Sequence, residues 1–189
     1  SRLRTLLIRT ATLASMLLAA AAPAQTFSNP ATIVIRDLDA AQPYPSNILV
    51  SGAPARFDSI RVTLRGLSHT FPRDIAVAVR SPSGAYHLLM TVSQRVTNAN
   101  VTFSSDASAI IGDTLSSGTY APSRGFDRDF RNGVPPASQM PLGFGSLANI
   151  NPNGIWSLYV VDDIGSDTGV IAAGWSISFE SSLSTSGTT

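Results

Sequence analysis

The residues that come closest to a chemical site are three aspartates on one connection, Asp162, Asp163 and Asp167, in the segment DDIGSDTG. Carboxylates and neighbouring backbone carbonyls supply the roughly six to eight oxygen ligands that Ca²⁺ prefers, and Asp74, at the end of a different predicted strand, could add a fourth carboxylate. The spacing matches no standard calcium loop, and Asp and Gly are also frequent in solvated turns. The sequence therefore leaves two interpretations of this segment, a calcium site and a plain loop, and it indicates no other cofactor.

His69 invites comparison with serine-hydrolase chemistry, because Asp74 could orient its ring and many serines are available. A Ser-His-Asp triad needs a serine within hydrogen-bond reach of the histidine, and an oxyanion hole besides. The sequence contains no G-x-S-x-G nucleophile elbow and no subtilisin-like serine motif, and His87, on an alternating segment, is no stronger a candidate. We therefore predict that this chain has no catalytic residue and is not an enzyme.

Aromatic side chains in and beyond a long loop are candidates for contact with a partner. Residues 124–139 mix arginines with aspartates, which is typical of a solvated surface whose ion pairs carry little energetic weight. Exposed aromatic rings beside arginine can anchor a protein or sugar partner, and the candidates are Phe126, Phe130 and Phe144. The favoured alternative is that these rings fold back as a small satellite core under the loop.

Composition limits the other functions of this chain. The thirteen basic residues are all arginine and oppose twelve acids, so that the formal net charge is +1, which gives no electrostatic footprint for nucleic acid. Cysteine is absent, which excludes disulfides and thiol catalysis. With only two histidines, a closed zinc site is nearly excluded as well.

The first 24 residues have the layout of a secretory signal peptide. Three arginines precede an apolar run, residues 13–22, and Ala22-Pro23-Ala24 supplies an A-x-A cleavage site. The run is shorter than the roughly 20 residues that span a bilayer, so we expect Sec-type export, cleavage after Ala24 and no membrane association afterwards. Because the sequence begins with Ser, we expect its true start to lie upstream. The predicted location is secreted, periplasmic or cell-surface.

The segments that must position these residues are short alternating runs, which predict an all-β fold. In residues 58–67 Ile60, Val62 and Leu64 share one face and polar residues the other, as in an antiparallel strand with one solvated face, and residues 74–80 repeat the pattern. The tetrapeptide at residues 81–84 then predicts a turn into a partner strand, residues 85–92. Within residues 151–179, two alternating runs around Trp156 and Trp175 predict a β-hairpin that points both indoles at one core.

Three blocks, residues 60–74, 75–89 and 154–179, together resemble the P domain, or P/Homo B domain, that follows the catalytic domain in kexin- and furin-like proprotein convertases. The similarity covers roughly residues 30–181. The motifs that carry it are His69-Thr70, Asp74, Ser81-Pro82-x-Gly84, Gly154-x-Trp156, an aspartate-bearing loop followed by Gly169, and Trp175.

This resemblance implies a jelly-roll β-sandwich, similar to galactose-binding domains, with His69 and Thr70 as a structural pair that bonds to a loop. Together with the signal-peptide layout and the polar, low-complexity end of the sequence, it divides the chain into a leader helix (1–24), the sandwich (25–181) and a polar tail (182–189). It also implies a non-catalytic exported module, free-standing as in bacterial secreted proteins, that stabilises, regulates or recruits a partner. The expected partner is a subtilisin-like protease or a cell-surface protein.

Two other functions remain open at this point. The chain could be part of a serine endopeptidase whose catalytic domain lies outside this sequence, with proteolysis as the activity of the whole. Alternatively, it could be a carbohydrate-binding or adhesion jelly roll, an interpretation that rests on analogy of fold alone. The sequence predicts no oligomeric state.

Overall fold

The computed structural model describes residues 24–91, 95–112, 114–147 and 150–181. Residues 1–23 of the predicted leader and the predicted tail, 182–189, lie outside these residues, so export and cleavage stay predictions. In the described residues no helix has the length and apolar character needed to cross a membrane. The same residues contain three short 3-10 helices and the strands β1 (Gln25–Asn29), β2 (Ile33–Ile35), β3 (Ser46–Val50), β4 (Ser59–His69), β5 (Ile75–Arg80), β6 (Tyr86–Met90), β7 (Val96–Ser104), β8 (Gly118–Tyr120), β9 (Gly154–Asp162), β10 (Gly169–Ile171) and β11 (Trp175–Glu180).

These strands form a β-sandwich of two sheets, which confirms the predicted fold class. One sheet has four strands in the order β3-β9-β5-β6. The other has seven: the path β1-β11-β4-β10-β2, with β7 on the other side of β4 and β8 beyond β7. All named pairings are antiparallel except that of β7 with β8. β4 is therefore the central strand of the larger sheet and carries His69 at its end.

The alternation in β4 places the main core as predicted. Ile60, Val62 and Leu64 are fully buried between the sheets, whereas Arg61 and Thr63 on the opposite face are partly exposed. A register shift against β7 follows Leu64, where the strand bulges. Period-two patterning thus fixes which face of β4 is buried, and the bulge bends the strand before His69.

The segment 124–140 covers the outer face of the four-stranded sheet instead of extending over the surface. Ala76 and Ala78 of β5 are as buried as the inward-facing valines beside them, so the prediction of one solvated face on this strand is wrong. The sequence of β5 does not reveal that another segment covers it, because small residues such as alanine fit both a buried and a solvent-exposed strand face. The second core under this segment consists of Ala76, Ala78, Leu88, Phe130, Val134, Ala137, Met140, Tyr159 and Val161.

The two tryptophan strands do not form the predicted hairpin. β9 lies in the four-stranded sheet, paired with β3 and β5, while β11 lies in the seven-stranded sheet, paired with β1 and β4. The connection through β10 crosses from one sheet to the other. Trp156 and Trp175 nevertheless share one core, as expected, because each points inward from its own sheet. The indole of Trp156 donates to the Pro152 carbonyl (2.8 Å) and that of Trp175 to the Ser46 hydroxyl (3.0 Å).

Candidate functional site

A hydrogen bond between His69 and Asp162 ties the two sheets together at one end of the sandwich. His69 ends β4 and Asp162 ends β9, and the ring Nε2 lies 3.1 Å from the carboxylate Oδ2 with both side chains fully buried. The other ring nitrogen, Nδ1, accepts the backbone N–H of Phe71 at 3.1 Å. Because an accepting Nδ1 carries no proton, Nε2 must be the protonated nitrogen of a neutral ring, and it donates to Asp162.

Asp162 is a buried carboxylate with few donors. Its Oδ1 accepts the backbone N–H of Ile164 at 3.1 Å, and its Oδ2 accepts from His69. Burial raises the pKa of Asp162, while the Ile164 N–H and His69 partly offset that rise. The arrangement therefore holds the carboxylate in a dry environment without a full counter-charge.

Asp74 and Arg128 form the neighbouring part of the network. Asp74 ends the short 3-10 helix Pro72–Asp74 and is buried, and its Oδ1 lies 3.8 Å from the Arg128 Nη2. Burial raises the pKa of Asp74, and the Arg128 charge opposes that rise. Arg128 also donates from Nε and Nη2 to the Arg73 carbonyl, at 3.1 and 2.7 Å. Its guanidinium thus fixes the turn that carries Phe71 and Arg73.

Asp163 and Asp167 each bond to a different neighbour. Asp163 receives the Arg131 guanidinium on Oδ1 and the Asp129 backbone N–H on Oδ2, both at 3.1 Å. Asp167 accepts the Thr70 hydroxyl at 2.5 Å. His69 and Thr70 therefore both bond to the segment that runs from the end of β9 into the connection after it.

The four aspartates proposed for calcium do not form a calcium cage. Each carboxylate is turned toward a donor or cation of the protein itself: His69, Arg128, Arg131 or Thr70. Across the described residues, no group of three or more acidic or histidine side chains has an arrangement that could hold a metal ion. Calcium binding stays a prediction from the sequence.

Both histidine rings are buried and bonded within the protein, and the Ser146 hydroxyl lies 3.5 Å from the Nδ1 of His87. Each ring nitrogen of His69 is engaged, one by a carboxylate and one by a backbone amide, so neither is available to a serine. The ring of His87 is also buried, with Nδ1 donating to the Gly143 carbonyl at 3.1 Å and Nε2 lacking a partner among the described residues. Burial lowers the pKa of His87, although the Gly143 carbonyl partly opposes this shift.

Two glycines of the sequence motifs stand where no side chain fits. A Cβ on Gly169 would lie 2.4 Å from the His69 Cδ2 and 2.5 Å from the Ser68 carbonyl oxygen. A Cβ on Gly154, which has a φ of +129°, would lie 2.8 Å from the Pro82 Cβ. Pro82 belongs to the turn between β5 and β6, where the Gly84 N–H donates to the Ser81 carbonyl. The motifs are therefore packed against one another.

The three aromatic candidates for partner contact separate in the structure. Phe130 is buried in the second core under the loop, as the favoured alternative predicted, and Phe144 is buried in the main core, so neither offers the contact surface considered for them. Phe126 remains exposed, and the guanidiniums of Arg73 and Arg128 lie over its ring, 4.6 and 5.3 Å from the centroid. Sequence reasoning missed the roles of Arg73 and Arg128. The mixed charges around Arg128 were the available signal, and they were interpreted as solvated surface.

Comparison with known proteins identifies no family. No family model matches the sequence, and no curated protein matches it. Two solved structures cover 86% of this chain: the serine protease of Aeromonas sobria in complex with the chaperone ORF2 (12% identity, TM-score 0.41) and the serine protease of Aeromonas sobria (14% identity, TM-score 0.37). The matched region spans 27% of each of those proteins. Likeness at this level carries no functional argument.

Proposed function

We propose that this chain is an exported, non-catalytic module of the P-domain type that stabilises, regulates or recruits a partner. A subtilisin-like serine protease is the first candidate partner, and a cell-surface protein is the second. The observation that carries the proposal is the use of both ring nitrogens of His69 by Asp162 and the Phe71 backbone, inside a fully buried network. Contacts of this kind at both ring nitrogens support a role in the fold for His69 over a role as a general base.

The packing of the motifs supports the same proposal. The residues that carry the resemblance to P domains lie far apart in sequence, yet Pro82 contacts Gly154, Gly169 packs on His69, and Thr70 bonds to Asp167. These contacts join both sheets and the connections between them. A module without catalytic activity needs a rigid fold, and these contacts supply rigidity because each one restricts how the two sheets can shift.

A direct test measures whether the chain stabilises a protease that it could accompany. The probe is the catalytic domain of a subtilisin-like protease encoded in the same genome, and the readout is its half-life at elevated temperature with and without the chain. We expect the purified chain to lengthen that half-life, while heat-denatured chain leaves it unchanged. An unchanged half-life with native chain would refute a protease partner.

The same preparation tests the non-enzyme part of the proposal. The chain alone is incubated with casein and with fluorogenic peptides that carry basic cleavage sites. We expect no cleavage above the buffer control. Cleavage that a serine-directed inhibitor abolishes would instead establish the alternative, a serine endopeptidase.

A further inference from the structure

Two exposed phenylalanines and two partly buried arginines lie beside the buried network. Phe71 is 50% exposed and Phe126 is 41% exposed, and the guanidiniums of Arg73 and Arg128 both contact the ring of Phe126. We call Phe71, Arg73, Phe126 and Arg128 the Phe–Arg patch. Aromatic rings and arginine are the residue types most enriched among the energetically dominant contacts of protein interfaces.

The buried network holds the patch in a fixed conformation. The Phe71 N–H is bonded to His69, and the Arg73 carbonyl receives two hydrogen bonds from Arg128. On the far side, Asp163 binds the Asp129 N–H and the Arg131 guanidinium, which fixes the segment that continues from Phe126. An exposed ring that is already ordered loses little conformational entropy on binding, so this surface is preorganised for a partner.

The charge of the patch is incompletely neutralised. Arg128 has Asp74 at 3.8 Å, but Arg73 forms no ion pair with any residue in the described part of the chain. The carboxylate of Asp127, next to Phe126 in the chain, is turned to the Ser138 N–H at 2.8 Å. The planar fork of Arg73 is therefore left to pair with a carboxylate from outside the protein.

We propose that the Phe–Arg patch is the partner-binding surface of this module and that it recognises an acidic side chain flanked by an apolar one on a protein partner. The carboxylate pairs with Arg73, and the apolar side chain packs on Phe71 and Phe126. This inference rests on the proposed function, which requires a partner, and adds where that partner binds and by what chemistry.

Matched variants isolate the two parts of the patch. Arg73→Ala removes the cation but leaves the Arg73 carbonyl that Arg128 binds, and Phe126→Ala removes the exposed ring. The controls are Arg56→Ala, which removes an exposed arginine that also lacks an ion pair among the described residues, and Leu49→Ala, which removes a side chain that is 68% exposed. Circular dichroism and thermal melting confirm that each variant is folded before binding is measured.

The probe is a short fluorescent peptide that alternates Glu with Leu and contains one Phe, compared with the same peptide carrying Lys in place of Glu. Anisotropy titrations use the full chain at about 50 mM and about 300 mM salt. We expect the acidic peptide to bind and the basic one not to, and salt to weaken binding. We expect Arg73→Ala and Phe126→Ala each to weaken it by about fivefold to tenfold, and the two controls by less than about twofold.

Three results would overturn the inference: equal binding of both peptides, equal losses in the control variants, or no binding of the acidic peptide. The protease half-life measurement separates this failure from failure of the proposed function. If the chain stabilises the protease and the peptide does not bind, only the location and chemistry of the surface are refuted. If the peptide binds and the protease gains no stability, the surface stands and the protease partner is refuted.

Discussion

Replacing Gly169 by alanine is expected to break the contact that ties the two sheets at the site. The new Cβ would lie 2.4 Å from the His69 Cδ2 and 2.5 Å from the Ser68 carbonyl oxygen, whereas unbonded carbon atoms normally stay about 3.5–4 Å apart. The Ser68 oxygen belongs to the backbone of β4 and cannot turn aside. Either β10 must move away from β4 by on the order of 1 Å, or the His69 ring must leave its position.

The loss of unfolding free energy in Gly169→Ala depends on whether β10 or the His69 ring is displaced. Overpacking of this kind costs about 1–3 kcal/mol, and displacement of His69 also removes its bond to the buried Asp162 carboxylate, which adds about 1.5–3 kcal/mol. If both contributions apply, the expected loss in the free energy of unfolding is about 2.5–6 kcal/mol. Against the roughly 5–15 kcal/mol of a typical domain, such a loss brings the variant close to unfolding.

Urea unfolding followed by tryptophan fluorescence measures this loss, since both indoles are buried and become solvated on unfolding. Gly145→Ala is the matched control, because a Cβ there meets no atom within 4 Å. We expect the control to change stability by less than about 0.5 kcal/mol. A Gly169→Ala protein that unfolds within that margin of the original would refute the close packing of β10 on His69.

The remaining predictions concern single groups. Burial lowers the pKa of His87 in the folded state, so below about pH 6.5 the unfolded chain binds more protons than the folded one. The free energy of unfolding should therefore fall with decreasing pH, by at most about 1.4 kcal/mol per pH unit. His87→Leu should flatten this slope in urea titrations between about pH 7 and pH 5. An unaltered slope in the variant would assign the effect to another group. Calcium titration tests the site predicted from the sequence: a rise in melting temperature that Asp162→Ala abolishes would establish it, and an unchanged melting temperature would show that carboxylates already bonded to protein groups do not take the ion. Trp175→Phe should cost about 1–3 kcal/mol of unfolding free energy, since it removes the indole donor to the buried Ser46 hydroxyl and leaves that hydroxyl with the longer contact from the Asn29 side-chain amide (3.3 Å); equal stability of the two proteins would contradict this.

The faces of the strands could be predicted from the sequence, but their partners could not. Alternation correctly places Ile60, Val62 and Leu64 in the core and points both tryptophans inward, because the side-chain period of a strand is two residues. The same alternation says nothing about which strand lies alongside. The short distance in sequence between β9 and β11 suggested a hairpin, whereas the three-residue strand β10 carries the chain across to the other sheet.

The sequence predicted which acidic residues form the site but not what they bind, because it does not show which residues lie beside them in the fold. The acidic residues around Asp162 are conspicuous in the sequence, and carboxylates without visible counter-charges suggest a cation. Their donors come from elsewhere: His69 lies 93 positions from Asp162, and Arg131 lies 32 positions from Asp163. Only the fold brings each donor to its acceptor.

These long-range bonds also explain why a buried polar network and an exposed patch occur side by side. A hydrogen-bonded buried carboxylate such as Asp162 contributes little net stability, because desolvation offsets much of what its hydrogen bonds gain. Its bond to His69 instead fixes the position of a ring whose second nitrogen holds Phe71, and the Arg128 bonds fix Arg73 in the same turn. If stability alone were the role of the network, apolar residues could replace it. The polar version is needed where the surface above it must keep one conformation, and that surface is the Phe–Arg patch.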